Sequence, residues 1–487
     1  RTAKITKGDD TIVFEQKNIE APAGWSQLAV NIVASKYFFG KLETSQREFS
    51  VKQLIDRVCD SITEFGLEQS YFDKINANNF NLELKYILVN QFGSPNSPQF
   101  FNGGIFLKYG IERKATFPNY YWDTKALTIR QCDDEYSRPQ LAACFLHGVE
   151  DNMGSLMDSQ LVEAKIYKGG SGCGINYTKV RGKGEHLSNG GYAAGVLSYM
   201  RIADEVAKSI KSGGVNRRSA KMSLLDINHP DIEEFVESKV KEEKKAQTLI
   251  QAGYDSSFNG EAYHTVSLQN CNISVNVTDD FMQRVVDNKP FDLIGRKDGS
   301  VVKTVSAKEL LRRVAESAHM CGDPGIQFED TLNKYHTCVT TDRIRTCNPC
   351  SEHVFLDFTA CNLFSVNVLK FLRDDNTLDL DGFIHTVKIA NLMQEISVDL
   401  ASYPTERIAL ETHNYRPLGV GFTNIGALVM SVGLAYDSAE ARDLVGGLTS
   451  LLTASAYVMS GEVAKVKGVF DGFEKNRTSM REVLTKH

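Results

Sequence analysis

Short apolar runs at 142–149, 174–180, 220–227, 273–277 and 363–369 alternate with stretches of helical periodicity. That alternation confines the chain to an α/β architecture with substantial parallel sheet. Val51, Leu54, Ile55, Val58 and Ile62 share one face of a helix expected over 47–65, and further helices are expected over 151–167 and 196–211. Asn228-His229-Pro230-Asp231 places a proline in the first turn of the next helix, whose charged stretch at 233–245 reads as a solvated face. Ser306-Ala307-Lys308-Glu309 has the form of a capping box ahead of Leu310, Leu311, Val314, Ala315 and Ala318. Ile389, Leu392, Met393, Ile396 and Leu400 mark another helix, closed by Pro404, and Asp437-Ser438-Ala439-Glu440 opens one more. Ile273, Val275 and Val277 alternate with polar residues, the pattern of a half-buried strand, and the polar segment 251–263 reads as a long loop.

At 487 residues the chain exceeds what one hydrophobic core organises, so two or more subdomains are expected. A net charge of −6 argues against a surface that coats nucleic acid. It leaves room for a mononucleotide, whose phosphates are held by backbone N–H groups and a few local cations. The apolar run at 427–434 is too short to span a bilayer, and the N-terminus lacks the apolar core of a signal peptide. Ten irregularly spaced cysteines point to a reducing, cytoplasmic setting, not to a disulfide framework. The chain opens on Arg1 with no initiator Met, which reads as a fragment or a processed piece.

The chemistry concentrates in Thr346-Cys347-Asn348-Pro349-Cys350-Ser351-Glu352, followed by Cys361-Asn362-Leu363. Asn348, Cys350 and Glu352 occupy alternate positions, so in an extended segment all three side chains face one cavity. A thiol beside a proton acceptor and an amide donor suits nucleophilic or radical sulfur chemistry. The spacing of Cys347 and Cys350 also fits a zinc knuckle or a redox pair. No second Cys or His pair lies at zinc-compatible spacing, so no metal is expected. The glycine-rich 168–174 segment precedes a strand instead of a helix, which rules out a dinucleotide fingerprint. Ser212-Gly213-Gly214-Val215-Asn216-Arg217-Arg218 joins a helix to a strand and reads either as a phosphate-contact loop or as a surface turn.

Taken together these segments resemble the catalytic subunit of ribonucleotide reductases, most closely the adenosylcobalamin-dependent (class II) branch. The likeness runs through Trp25-Ser26-Gln27-Leu28-Ala29-Val30-Asn31, Asn96-Ser97-Pro98, Ala142-Ala143-Cys144-Phe145, Ser212-Gly213-Gly214, and His229-Pro230-Asp231-Ile232. It continues through Cys321-Gly322-Asp323-Pro324-Gly325, Asn348-Pro349-Cys350-Ser351-Glu352, Thr359-Ala360-Cys361-Asn362-Leu363 and Arg416-Pro417-Leu418-Gly419.

The resemblance implies a ten-stranded α/β barrel of two half-barrels around a central finger loop, incomplete here at the C-terminus. Its parts would be a mainly helical region at 1–95, a first half-barrel with the effector region at 96–370, and the helical start of the second half-barrel at 371–487. The finger loop would span 345–357. The resemblance makes Cys350 the thiyl-radical residue, Glu352 the base at the ribose 3′-hydroxyl and Asn348 a substrate anchor. Cys144 and Cys361 become the reducing pair that ends as a disulfide. Ser97, Ala143, Gly172 and Ser351 would contact substrate, and Asp151, Arg181 and Arg217 would bind a dNTP effector. Adenosylcobalamin, a thioredoxin-like reductant and a second copy of the chain would be partners; either a second polypeptide supplies the missing C-terminal part or the sequence is truncated, and no nucleic acid or membrane is implied. The alternatives are a class I large subunit, fed by a separate metallo-subunit, and an inactive nucleotide-binding regulatory relative.

Overall fold

Ser50 fixes where the first long helix begins. Its side chain accepts from the Lys52 N–H while Gln53 reaches back to the Ser50 backbone, so the expected 47–65 helix runs instead over Val51–Glu68. The computed structural model describes residues 1–6, 11–188, 190–210, 219–257 and 260–487. Two compact units emerge, one formed by Arg1–Ala143 with Ala360–Asp471 and the other by Cys144–Thr359 with Gly472–His487.

The first unit is built on helices. Val58, Ile62 and Leu84 from helices Val51–Glu68 and Lys74–Val89 share a core with Phe383, Met393 and Ile396 of helix Leu380–Leu400. Each such side chain contributes about 1.5–3 kcal/mol by burial. Helix Leu380–Leu400 starts nine residues before the apolar pattern at Ile389, because Asp379 caps the Gly382 N–H. The 363–369 run belongs to strand Thr359–Asn367, which pairs parallel with Leu418–Thr423 and antiparallel with Gly93–Pro95. A hairpin of Lys114–Asp123 and Thr128–Asp134 and a ribbon of Ala3–Thr6 and Ile12–Gln16 were not legible in the periodicity. Helix Ala439–Lys467 is long and apolar enough to cross a membrane by length and composition alone. One such helix is weak ground for a membrane, and here Lys388 pairs with its Glu462 and Leu448 and Leu452 are buried.

The second unit carries a parallel sheet. Its strands are Gly325–Phe328, Cys271–Val277, Ala220–Asp226, Gly172–Asn176 and Cys144–Gly148, paired in that order. Helices Met153–Lys168, Val196–Ser209, Ile232–Gln251 and Ala307–Cys321 alternate with them, as the α/β reading requires. Ser306 caps the last of these by accepting from the Glu309 N–H, and Gly322 ends it in the left-handed region at φ 82°. The 251–263 segment is shorter as a loop than expected, since one helix runs to Gln251 and Glu261–Thr265 forms another.

The His229-Pro230-Asp231 motif is a junction in this unit. Asp231 accepts from the Lys183 and Val196 N–H groups at 2.7 and 2.9 Å, tying two loops to the start of helix Ile232–Gln251.

Candidate active site

Residues 345–355 form a short hairpin, with Thr346–Cys347 paired antiparallel to Val354–Phe355. The segment between is a tight turn, and this corrects the extended geometry assumed from alternation. Asn348 N–H donates to the His353 carbonyl, Ser351 N–H donates to the Asn348 carbonyl, and Ser351 takes a φ of 69°. Such a reversal, and not a strand period, determines which side chains meet.

The hairpin lies along one face of the parallel sheet. Residues 172, 174 and 176 share that face by strand alternation, and each meets the hairpin at a different level. A Cβ on Gly172 would stand 2.9 Å from the Pro349 ring, and one on Gly174 would stand 1.8 Å from the Cys347 carbonyl oxygen. Glycine is required at 174 because backbone occupies the side-chain position. The strand begins at Gly172, inside the glycine-rich run, and ends at Asn176, short of the expected 180. At the far end Asn176 donates to the Arg345 carbonyl at 2.7 Å.

Two of the three alternate residues converge on one sulfur. Asn348, itself 1% exposed, donates its Nδ2 to Cys144 Sγ at 3.1 Å, and the Cys144 thiol points to Glu352 Oε1 at 3.7 Å. Asn348 Oδ1 accepts from the His353 N–H at 3.0 Å, which fixes the amide's orientation. Glu352 and Cys350 are exposed at the turn. Cys144 opens the strand Cys144–Gly148 and is buried. Burial, then the Glu352 charge, pushes its thiol well above the ordinary range, opposed by the Asn348 hydrogen bond. Cys347, on the hairpin's inner side with Met222 and Leu224, is raised to about 11, again by burial first.

Gly172 therefore sits beside the turn, and Ser351 Oγ lies 3.6 Å from Cys347 Sγ. The other substrate and redox candidates belong to the first unit. Ser97 Oγ is 3.1 Å from the Tyr37 hydroxyl, and the Ala143 N–H donates to the Cys361 carbonyl at 3.0 Å. Cys361 is fully buried, and both Cys144 and Cys361 are in the thiol form. In the second unit Asp151 and Arg181 are each other's partners, with Arg181 Nε 2.5 Å from Asp151 Oδ2. Arg217 and the 212–218 loop lie outside the described residues.

Sequence reasoning passed over Gly174, three asparagines that donate to the hairpin, Asn176, Asn272 and Asn276, and Asp226, which accepts from two of them. Their signal was available. Asn272, Ser274 and Asn276 form the polar side of the alternation at 271–277, and Ser274 and Asn276 are 1% and 4% exposed. A polar strand face that is buried is a face with a partner.

Comparison with known proteins identifies the family. The family model described as "Ribonucleotide reductase, barrel domain" matches residues 142–486, and "Class II vitamin B12-dependent ribonucleotide reductase" matches residues 1–91. The vitamin B12-dependent ribonucleotide reductase of Rhodopirellula baltica is 46% identical over 491 residues, covering 100% of this chain and 47% of the relative. That of Streptomyces coelicolor is 42% identical, covering 98% and 47%. That of Bradyrhizobium diazoefficiens is 34% identical, covering 100% and 47%. The chain thus spans about half the length of the curated relatives it matches. With a barrel-domain match across most of its length and a class-specific match at its start, the chain belongs to the ribonucleotide reductase family, in the class II, vitamin B12-dependent branch.

Proposed function

We propose that this chain carries the reacting groups of an enzyme that converts ribonucleotides to 2′-deoxyribonucleotides through a thiyl radical on Cys350. The observation that carries the reading is the convergence on Cys144. A hydrogen-bond donor, Asn348, and a carboxylate, Glu352, both reach its sulfur, and Cys350 stands on the same turn between them. The turn thus presents an exposed thiol and a base beside a buried reducing thiol.

The roles follow from the chemistry of those groups. Cys350, as a thiyl, takes the hydrogen atom from C3′ of the ribose. Glu352 accepts the 3′-hydroxyl proton, and the 2′-hydroxyl leaves as water after taking a proton from a thiol. Cys144 and Cys361 give two electrons and two protons and end joined as a disulfide, after which Cys350 returns its hydrogen atom to C3′. The balance is one ribonucleotide and two thiols to one deoxyribonucleotide, one disulfide and one water. Pairing requires the two Cα atoms to come within about 7 Å.

Adenosylcobalamin, when bound, supplies the unpaired electron. The donor set fits that group: Cys350, the thiol that must lose a hydrogen atom, is exposed, while Cys144, Cys347 and Cys361 are buried. Cys350 is the residue that would face it. A thioredoxin-like reductant would reopen the disulfide. A dNTP effector would engage Asp151, Arg181 and Arg217, and a second copy of the chain would pair with the first. The setting proposed is cytoplasmic, with the remaining length of the relatives supplied in cis or by a second chain.

The test is a turnover assay with that remaining length present. Cys350→Ser is expected to abolish deoxynucleotide formation and leave nucleotide binding unchanged; appreciable product from the variant overturns the radical reading. The 487-residue chain by itself is expected to be inactive.

A further inference from the structure

The hairpin that carries Cys350 cannot hold its own shape. Its ladder is only two residue pairs long, Thr346 with Phe355 and Cys347 with Val354. An isolated ribbon of that size is not stable in water. Its position must come from what it touches, and the polar contacts are concentrated at two backbone carbonyls.

At the base, the Arg345 carbonyl accepts from Asn176 Nδ2 at 2.7 Å and from Asn276 Nδ2 at 3.0 Å. Asp226 Oδ1 lies between the two amides and accepts from them at 3.5 and 3.0 Å. These three residues come from neighbouring strands, and Asp226 and Asn276 are register partners. At the tip, the Pro349 carbonyl accepts from Asn272 Nδ2 at 2.7 Å. Asn272 and Asn276 stand four residues apart on one strand, so they face the same side, separated by about 13 Å of sheet. The hairpin runs antiparallel to the strands, pinned at both ends, with Gly174 leaving room for the Cys347 carbonyl in the middle.

The backbone groups of the strands are committed to the sheet, so only side chains are available to grip a segment laid across its face. An asparagine amide is suited to this: it donates to a carbonyl and carries no charge that would compete for substrate. The tip contact matters most, because Pro349 immediately precedes Cys350.

We propose that Asn272 at the tip, with Asn176, Asp226 and Asn276 at the base, are positioning residues that hold the Cys350 turn in register with Cys144. The proposal rests on the reading that this turn bears the reacting thiol, and it adds residues that touch neither substrate nor sulfur. Asn272 is exposed and makes one contact with the hairpin, so replacing it leaves the sheet core intact.

The test uses Asn272→Ala and Asn272→Asp, the second keeping size and shape but losing the donor. Hydrogen exchange is followed by mass spectrometry on the 487-residue chain, and kcat and KM are measured with the remaining length of the relatives supplied. Both variants should speed exchange in peptides covering 346–353 by about tenfold, the factor for one lost hydrogen bond of ordinary strength. Peptides covering 142–149 and the urea midpoint should stay unchanged, and kcat should fall about tenfold with KM unaltered. Unchanged exchange at 346–353 overturns the proposal whatever the activity. A uniform loss of protection across the sheet overturns it too, since Asn272 would then support the fold and not the turn. Faster exchange at 346–353 with Cys350→Ser still turning over would instead sink the radical reading, leaving the clamp as a structural fact without that role.

Discussion

Asn348 donates its side-chain amide to the sulfur of Cys144 at 3.1 Å, so the turn of the hairpin and the head of a sheet strand share one polar contact. The contact has a consequence for reactivity. A thiolate at Cys144 is disfavoured by burial and by the Glu352 carboxylate, and favoured by the Asn348 donor. Cys144 should therefore remain protonated throughout the range in which an ordinary cysteine titrates. Glu352→Gln removes a negative neighbour and should move the alkylation profile of Cys144 to lower pH. Asn348→Ala removes the stabilising donor and should move it higher. Iodoacetamide labelling read by mass spectrometry checks both, and two unmoved profiles would show that the sulfur does not sense the turn.

Gly174 gives a steric test of the hairpin's seat. An added Cβ would meet the Cys347 carbonyl at 1.8 Å, where the neighbour is backbone and has no rotamer to change. Gly174→Ala should destabilise by about 2–3 kcal/mol, the upper part of the range for overpacking. Gly172→Ala should cost less, because its nearest neighbour is the Pro349 ring at 2.9 Å. Gly421→Ala, with nothing within 4 Å of the added carbon, is the control and should stay within about 0.5 kcal/mol of the parent. Urea denaturation gives the order, and a Gly174 variant as stable as the control would mean the hairpin does not lie where it is described.

Lys221 and Glu163 form an ion pair with both side chains fully buried, behind the sheet face that carries the hairpin. Tyr167 donates to the same Glu163 oxygen at 3.1 Å, and the other oxygen, Oε2, has no hydrogen-bond partner. Lys221→Met would leave a carboxylate buried without its counter-charge, at a cost of about 3–5 kcal/mol. Replacing both, with Glu163→Leu added, should recover most of that loss. A double-variant cycle in urea measures the coupling, and additive losses would show that the two charges are held independently.

Much of this architecture was legible because local signals and burial agree. The helix at Val51–Glu68 and the helix at Ala307–Cys321 begin where Ser50 and Ser306 announce them. Asn348, Glu352 and Cys144 stood out as candidates through motif order, and the hairpin brings their side chains into contact. Their convergence was not legible in the spacing, because a turn with Ser351 at positive φ replaces the extended segment. The 271–277 strand shows the deeper limit. Alternation marked Ile273, Val275 and Val277 as the buried side, yet Ser274 and Asn276 opposite them are buried as well. A period of two separates the faces of a strand but does not say what covers each. The ribbon Pro290–Ile294 with Val301–Ser306 escaped for the opposite reason. Val301, Val302, Lys303 and Thr304 are all exposed, so no alternation of burial marks the strand.

Acid sensitivity follows from two buried histidines. His229 Nδ1 accepts from the Asp231 N–H at 3.0 Å while its Nε2 meets the Val180 carbonyl at 2.8 Å, and His336 repeats the pattern with the Cys338 N–H and the Asp342 carbonyl. Each ring thus has one nitrogen accepting and one donating, which only the neutral imidazole can do. Burial, the largest cause in both, lowers each pKa to about 4. In the unfolded chain both titrate near 6.5. Between those values the unfolded state binds more protons, so stability falls as pH drops from about 6.5 to about 4 and is insensitive to these groups above that window. His229→Asn keeps a donor and an acceptor but does not titrate. It should reduce the dependence of unfolding free energy on pH by about one proton, or about 1.4 kcal/mol per pH unit, inside that window alone. Urea unfolding at a series of pH values decides the matter. An identical slope in parent and variant would show that His229 is protonated in the folded state, against the pattern of its hydrogen bonds.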